Sequence, residues 1–251
     1  MSSVVPPIPF SSFRRTQLIF EMRYGEAYSL WDRTGRLWRS VEQDFAKLKP
    51  NQVQPNEQAF VADDRYVLAA GLQRCNFTDH RPAGSAEKSI ETVASFANKV
   101  LDVLEVTTLE RVGFRMLFSI ACTSQEEARE KSMISVQALP PRIALFGVEP
   151  TSFGAAVKIE ADDGDFGYTA QLYAQEKKFE FNPPPDVLMN GLEKKEQKTF
   201  EIVLDFDFAT KKPVRTDAFD CKSWLLGWNR AIGRDADNFL EYLTGKHGRR
   251  G

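Results

Sequence analysis

Two segments of this chain alternate strictly between apolar and other residues, and they constrain the fold more than any other feature. The segments are 110–121 and 199–208. A period of two places the apolar side chains on one face of a β-strand. Each segment therefore predicts a strand whose apolar face must pack against another layer. The apolar members are Val112, Phe114, Met116, Phe118 and Ile120 in the first segment, and Phe200, Ile202, Leu204, Phe206 and Phe208 in the second.

Three other segments show helical periodicity, with apolar residues recurring at steps of three and four. They span 26–48, 85–105 and 217–243, and each predicts an amphipathic helix with one buried stripe. Ser85 and Asp217 are suited to cap the second and third helices, because their side-chain oxygens can accept hydrogen bonds from free backbone N–H groups. The third pattern is the longest and predicts a long terminal helix.

Shorter alternating segments at 16–24, 58–62 and 65–78 predict further strands, and the polar stretch 51–56 predicts a loop. Up to residue 123 the order is therefore strand, helix, strand, strand, helix, strand. This is the βαββαβ pattern of a ferredoxin-like fold, in which both helices lie on one face of an antiparallel sheet.

The rest of the chain predicts an antiparallel meander followed by the long terminal helix. Within it, the charged, proline-containing stretch 175–198 predicts a surface loop. We thus expect an α+β protein made of a ferredoxin-like half, 1–123, and a C-terminal half, 124–251. A single continuous domain is the alternative that the sequence leaves open.

The charge balance argues against nucleic acid as a partner. The chain has 33 Lys and Arg residues against 35 Asp and Glu residues, a formal net charge of -2, whereas neutralising many phosphates requires a basic excess. No stretch approaches the roughly 18 uninterrupted apolar residues of a membrane helix, and the start of the chain shows no apolar leader. We expect no membrane partner and a cytoplasmic location.

Motifs for the common catalytic chemistries are missing from the sequence. Only His80 and His247 could serve Ser/His/Asp or Cys/His catalysis, and no GxSxG turn accompanies them. The phosphate-binding loops GxxxxGK[ST] and GxGxxG are also missing. Cys75, Cys122 and Cys221 are far apart and form no CxxC pair, which argues against a disulfide framework or a zinc ribbon. The sequence therefore predicts no catalytic residue, no metal site and no cofactor.

Asp205 and Asp207 are the sharpest candidates for chemistry. Two residues apart on a strand, their side chains point to the same face about 7 Å apart, close enough to share a divalent cation with substrate phosphates. The alternative is structural, because Arg111 and Arg115 occupy the non-core face of the other strand and cross-strand ion pairs are common in sheets. Two adjacent cations would neutralise the carboxylates, so we predict that the two arginines pair with the two aspartates.

Trp224 is a candidate point of contact with a partner protein. It lies near the start of the terminal helix, one turn before Trp228, which belongs to the buried stripe. An exposed aromatic side chain at such a position can mark a protein contact. Partial burial of Trp224 is the interpretation that we favour.

Taken together, the strand-Asp-Asp-strand hairpin, the helix leading into LERVGFR, and the LDFDF strand before a long terminal helix resemble a sporadically distributed family of uncharacterised prokaryotic proteins. That family shows an RxGxR strand, matched by Arg111, Gly113 and Arg115, and an LDFD strand, matched by Leu204–Asp207. The usual aromatic-Asn ending of the arginine strand is replaced by Met116–Ser119. The resemblance implies an accessory role, such as defence, toxin neutralisation or mobile-element cargo.

These observations predict a non-enzymatic cytoplasmic protein that acts by binding another protein within such an accessory system. The alternative from a different class is a metal-dependent phosphoryl-transfer or nuclease-like enzyme that uses Asp205 and Asp207. The sequence leaves the identity of a partner and the oligomeric state open.

Overall fold

A ten-stranded antiparallel sheet forms the centre of the protein in a computed structural model, which describes residues 8–132, 156–162, 164–181 and 195–243. The strands are β1 (Arg14–Tyr24), β2 (Leu48–Gln54), β3 (Glu57–Ala62), β4 (Tyr66–Gly71), β5 (Arg74–Asp79), β6 (Thr108–Cys122), β7 (Ala156–Asp162), β8 (Phe166–Phe181), β9 (Lys195–Thr210) and β10 (Val214–Arg215). Their order is β2-β3-β4-β5-β1-β6-β9-β8-β7, and the short β10 pairs with β6. Strands β1, β6 and β9 therefore lie in the middle of the sheet.

The helices of the described residues pack on one face of this sheet. They are α1 (Ser29–Glu42), α2 (Ala86–Leu104), α3 (Gln125–Ser132) and α4 (Cys221–Leu243). Each contributes buried side chains to the one hydrophobic cluster that also contains the apolar face of the central strands. No helix in the described part of the chain has the length and apolar character needed to cross a membrane.

The apolar face predicted for the segment 110–121 is the floor of this core. Phe114 lies opposite Phe20 of β1 and opposite Phe208 of β9, and all three side chains are buried. Directly opposed residues in antiparallel strands have Cβ atoms about 5 Å apart, so the three side chains form one row across the central strands. The predicted strand and its apolar face are confirmed.

Helix α1 is shorter than the pattern 26–48 predicted. It ends at Glu42, and β2 begins at Leu48 and covers residues 51–54 of the predicted loop 51–56. A helix interior does not accommodate Pro50, whereas an edge strand does, because some of its N–H groups have no partner in the sheet. The sequence predicts a helix end and a loop for the stretch 48–54, and pairing with β3 makes it a strand instead.

The single strand predicted at 65–78 is two strands, β4 and β5, which form a hairpin. At the reversal, a Cβ atom on Gly71 would lie 3.1 Å from the backbone oxygen of Asn56, which is tighter than an ordinary contact. The turn predicted between β3 and β4 is present, and its residues Asp63 and Asp64 have φ values of 55° and 51°. Positive φ at both central positions is typical of the tight hairpin turns that suit twisted strands.

Strands β8 and β9 continue into the stretch 175–198, so the surface loop predicted there is wrong for its described parts. The two strands stay paired over sixteen residue pairs. Charged residues of the extension pair with one another, Lys177 with Glu201 and Lys198 with Glu176. Opposite charges facing each other stabilise a polar ribbon, which composition alone does not distinguish from a loop.

Helix α4 is capped by Asp220 and not by the predicted Asp217. The Asp220 carboxylate accepts a hydrogen bond from the backbone N–H of Ser223 at 3.0 Å, whereas Asp217 lies in a preceding 3-10 turn and pairs with Arg215. The predicted buried stripe is confirmed for its described side chains, of which Cys221, Leu225, Ile232 and Ala236 are the most buried, whereas the side chain of Leu243 lies outside the described part.

Both predicted halves, 1–123 and 124–251, contribute strands to the same sheet. Strand β6 of the first half and β9 of the second pair along ten residue pairs. The α+β class with a large antiparallel sheet is confirmed. The ferredoxin-like order of the first half stays a prediction, because four strands, β2 to β5, lie between α1 and α2, where that order has two.

We expect Phe114→Ala to lower the free energy of unfolding by about 3–5 kcal/mol, because removing this ring leaves a cavity in the middle of the core. Urea titration followed by circular dichroism measures the change. Trp31→Ala is the control, since Trp31 is exposed on α1 and its loss should change stability by about 0.5 kcal/mol at most. Equal losses in the two variants would contradict this account of the core.

Candidate functional site

The face of the sheet opposite the core is the candidate functional surface. None of its side chains on the central strands belongs to the hydrophobic cluster to which the described helices contribute. We name its central part the open face. It consists of alternate residues in four segments, Gln17 to Arg23, Arg111 to Ser119, Thr169 to Lys177 and Glu201 to Ala209.

Arg115 and Asp205 form a bidentate ion pair across β6 and β9. Nε and Nη2 of Arg115 donate to the two carboxylate oxygens of Asp205 at 2.9 and 2.5 Å. The Asp205 side chain is 2% exposed and that of Arg115 is 41% exposed. The hydrogen bonds to Asp205 raise the pKa of Arg115, and paired bonds of this kind fix the geometry as well as the charge. Asp205 is therefore a buried anchor for a partly exposed guanidinium group.

Arg111 does not pair with the aspartates, in contrast to the prediction. Its Nη1 donates to Oε1 of Glu21 on β1 at 3.1 Å, and the same oxygen accepts from Nε of Arg23 at 2.7 Å. The register explains the difference, because the ladder between β6 and β9 ends at Gly113 opposite Ala209, before it reaches Arg111. A partner on β1 is therefore the nearer one.

The side chain of Asp207 is half-buried and forms no ion pair or hydrogen bond with another residue that the structure describes. Burial raises its pKa, while the positive charges of Arg111 and Arg115 act in the opposite direction. Although Arg115 lies directly opposite Asp207 in the register, its guanidinium group reaches diagonally to Asp205. The two aspartates thus have different environments, which the sequence did not predict.

Two hollows flank the Arg115–Asp205 pair on the open face. The first, of about 580 Å³, has Arg111, Asp207 and Lys211 in its lining. The second, of about 510 Å³, is lined by apolar groups, polar groups and two cations. We name this second hollow the donor hollow. Its lining consists of Thr16, Gln17, Ile19, His80, Arg115, Leu117, Tyr173, Gln175, Lys177 and Val203.

In the ion pairs around the centre of the open face, the cation is the outer partner. The side chain of Lys177 is 39% exposed and that of its partner Glu201 is 12% exposed. Arg115 over Asp205 shows the same order, as do Arg23 and Arg111 over Glu21. The formal charges of each pair cancel, yet the group in contact with solvent is mainly the positive one.

Trp224, the candidate partner contact, does not lie on the open face. Its ring packs against Phe219 and Trp228 with centroid distances of 5.8 and 6.3 Å, and it adjoins the core cluster. The favoured interpretation of partial burial therefore describes its position. Its indole N–H is buried and has no hydrogen-bond partner among the described residues.

A mainly apolar groove of about 730 Å³ lies near Trp228, between α4 and strands β7 to β9. Trp228 stacks on Phe208 with ring centroids 4.2 Å apart. Two of the three charged residues at the groove, Arg234 and Asp235, pair with each other, and the third, Asp162, pairs with Lys211. The groove offers apolar surface and little directed charge.

The exposed aromatic pair of α1 was missed by the sequence reasoning. Tyr28 and Trp31 are each more than half exposed, with ring centroids 5.2 Å apart. Trp31 follows the buried Leu30 by one residue, which places it about 100° around the helix from the buried stripe. That offset was a signal available in the sequence.

Apart from Arg115, the polar residues of the donor hollow were also missed, for a different reason. Tyr173 and Lys177 lie on β8, and part of that strand reads as loop in the sequence. His80 follows β5 at the other side of the hollow, where Nε2 of Gln17 lies 3.4 Å from its Nδ1. Only the strand order brings these segments together, so no local sequence signal could have found the set.

Neither a scan against models of protein families nor a search of the curated proteins gives a match for this chain.

We expect Arg115→Ala to lower the free energy of unfolding by about 1–3 kcal/mol, because it leaves the buried carboxylate of Asp205 without its charged donor. Arg111→Ala is the matched control on the same strand. Its partner Glu21 is more exposed and keeps Arg23, so the loss should stay below about 1 kcal/mol. Urea titrations of both variants measure this, and similar losses would contradict the anchor role of Asp205.

We expect Asp207→Asn to be more stable than the wild-type protein at pH 7 and equally stable near pH 3. Because burial raises the pKa of Asp207, the folded state holds this proton more strongly than the unfolded chain does. The wild-type protein therefore loses stability as the pH rises from the ordinary aspartate range through the raised pKa. Urea titrations at both pH values measure the difference. Asp235→Asn, on exposed α4 surface where Arg234 lowers the aspartate pKa, should give no gain at pH 7.

Proposed function

We propose that this chain is a non-enzymatic cytoplasmic protein that binds another protein through its open face. The observation that carries the proposal is the combination found there: apolar side chains at the floor of the donor hollow, with hydrogen-bonding and charged groups around them. Ile19, Leu117 and Val203 provide the apolar part. No helix of the described residues covers this face.

The composition of the donor hollow fits the usual anatomy of a protein interface. Such interfaces have an apolar centre and a polar rim, and Tyr and Arg are frequent among the residues that contribute most to affinity. Tyr173 and Arg115 occupy such positions at the hollow. Both project from paired strands of a large sheet, so they are held in place before a partner arrives, which lowers the entropic cost of binding.

The alternative predicted from the sequence, a metal-dependent phosphoryl-transfer or nuclease-like enzyme, finds little support in the geometry. A shared divalent cation needs free carboxylate oxygens, whereas both oxygens of Asp205 accept hydrogen bonds from Arg115. Within the described residues, no group of three or more His, Cys, Asp or Glu side chains is arranged to hold a metal ion. Binding is the function that these contacts favour.

The biological setting of the proposal rests on the resemblance to a sporadically distributed prokaryotic family, which implies defence or toxin neutralisation. We extend the proposal to the fold of 1–123, as a ferredoxin-like unit with the β2–β3 hairpin inserted. The neighbour order β6-β1-β5-β4 supports this, because a ferredoxin-like sheet has its first strand between its last and third strands.

We expect Tyr173→Ala to weaken partner binding at least tenfold, since truncating a central interface tyrosine typically costs about 2 kcal/mol. The full chain, immobilised, captures proteins from cells of its source, and a captured protein is then purified and titrated by calorimetry. Trp31→Ala, which removes an exposed aromatic ring on the helical side, is the control and should bind like the wild-type protein. Capture of no specific protein, or equal affinity of Tyr173→Ala and wild type, would overturn the proposal.

A further inference from the structure

We infer that the donor hollow receives an acidic segment of the partner protein, one that presents glutamate or aspartate side chains. This inference rests on the proposed protein-binding function and adds the chemistry of the partner. It follows from the donors that line the hollow and from the orientation of the ion pairs beneath it.

Every polar side chain at the hollow can donate a hydrogen bond, and those of Arg115 and Lys177 can only donate. Arg115 uses Nε and Nη2 for Asp205, so N–H groups remain on its exposed guanidinium edge. Lys177 has an ammonium group with three donors, and Glu201 occupies only part of them. The hydroxyl group of Tyr173 and the amides of Gln17 and Gln175 can donate as well. Carboxylate groups, which accept hydrogen bonds only, are the natural complement of such a lining.

The electrostatic asymmetry points the same way. Arg115 and Lys177, which line the hollow, are paired with Asp205 and Glu201, whose side chains are only 2% and 12% exposed. An approaching ligand therefore meets positive charge at shorter distance than negative charge, and Coulomb energies fall with distance. The face attracts anions even though the whole chain has a formal net charge of -2.

The neighbouring hollow does not share this property. Asp207 contributes a half-buried carboxylate without an ion pair in the described chain, and Lys211 is paired with Asp162. Further along the same face, Glu160 is more exposed than its partner Lys158. The cation-outward arrangement is thus a feature of the centre of the open face and not of every ion pair on the sheet.

The probe for this inference is a fluorescein-labelled hexaglutamate peptide. The full-length protein is titrated into the peptide at low salt, and binding is followed by fluorescence anisotropy. Hexalysine and inorganic phosphate serve as competitors. We expect saturable binding of hexaglutamate that weakens with added sodium chloride. Hexalysine should not compete, and inorganic phosphate should compete only at far higher concentration than unlabelled hexaglutamate.

A charge-neutral pair of substitutions tests the orientation of the charges. Lys177→Gln with Glu201→Gln removes the outer cation and the inner anion together, so net charge is preserved. We expect it to weaken hexaglutamate binding at least fivefold. The matched control is Lys222→Gln with Glu91→Gln, which neutralises an exposed ion pair between α4 and α2 and should leave binding unchanged. His80→Ala, at an exposed position, gives a third variant that should fold normally and weaken binding.

Several results would overturn the inference. These are no saturable hexaglutamate binding, equal competition by hexalysine, equal losses in the two double variants, or phosphate competing as well as the peptide, which would indicate a site for small anions. Cross-linking mass spectrometry of the captured partner separates this inference from the proposed function. A neutral or basic segment at the hollow would overturn the acidic partner and leave protein binding intact, whereas binding elsewhere on the chain would overturn both.

Discussion

The ladder between β6 and β9 is the interaction on which the rest of the structure depends. Ten residue pairs join a strand from the first half of the chain to one from the second, and they fix both faces of the sheet at once. On one face the ladder sets Phe114 against Phe208 in the core. On the other it brings Arg115 within reach of Asp205. A shift of one residue would exchange these two sets between the core and the solvent.

The Arg115–Asp205 pair illustrates how a sheet can present one sign of charge to the solvent. A buried carboxylate is costly unless strong donors satisfy it, and the guanidinium group of Arg115 meets that need from the solvent side. The same order occurs at Lys177 over Glu201. The pairs tie neighbouring strands together, and they also give the open face a positive outer layer on a chain with slightly negative net charge.

Predictions of helices and strands from the sequence were most reliable where the hydrophobic pattern was long and the surroundings of the segment were uniform. The strands at β6 and β9, the helices α2 and α4, and the turn at Asp63–Asp64 depend on local periodicity and local backbone preference. The predictions were wrong where the conformation of a segment depends on pairing with a neighbouring strand. The edge strand β2, with Pro50 in it, and the charged extension of β8 and β9 have no local pattern that distinguishes strand from loop, because their stability comes from the neighbouring strand.

The sequence by itself determined the α+β class, the two apolar strand faces, the absence of familiar catalytic motifs, and the candidate residues Arg111, Arg115, Asp205 and Asp207. The tertiary structure alone decided which of these residues pair. Register and strand order pair Arg115 with Asp205 and Arg111 with Glu21, and they leave the Asp207 side chain half-buried beside a hollow. They also gather His80, Tyr173 and Lys177 around one hollow, because distances across a sheet depend on strand neighbours and not on separation along the chain.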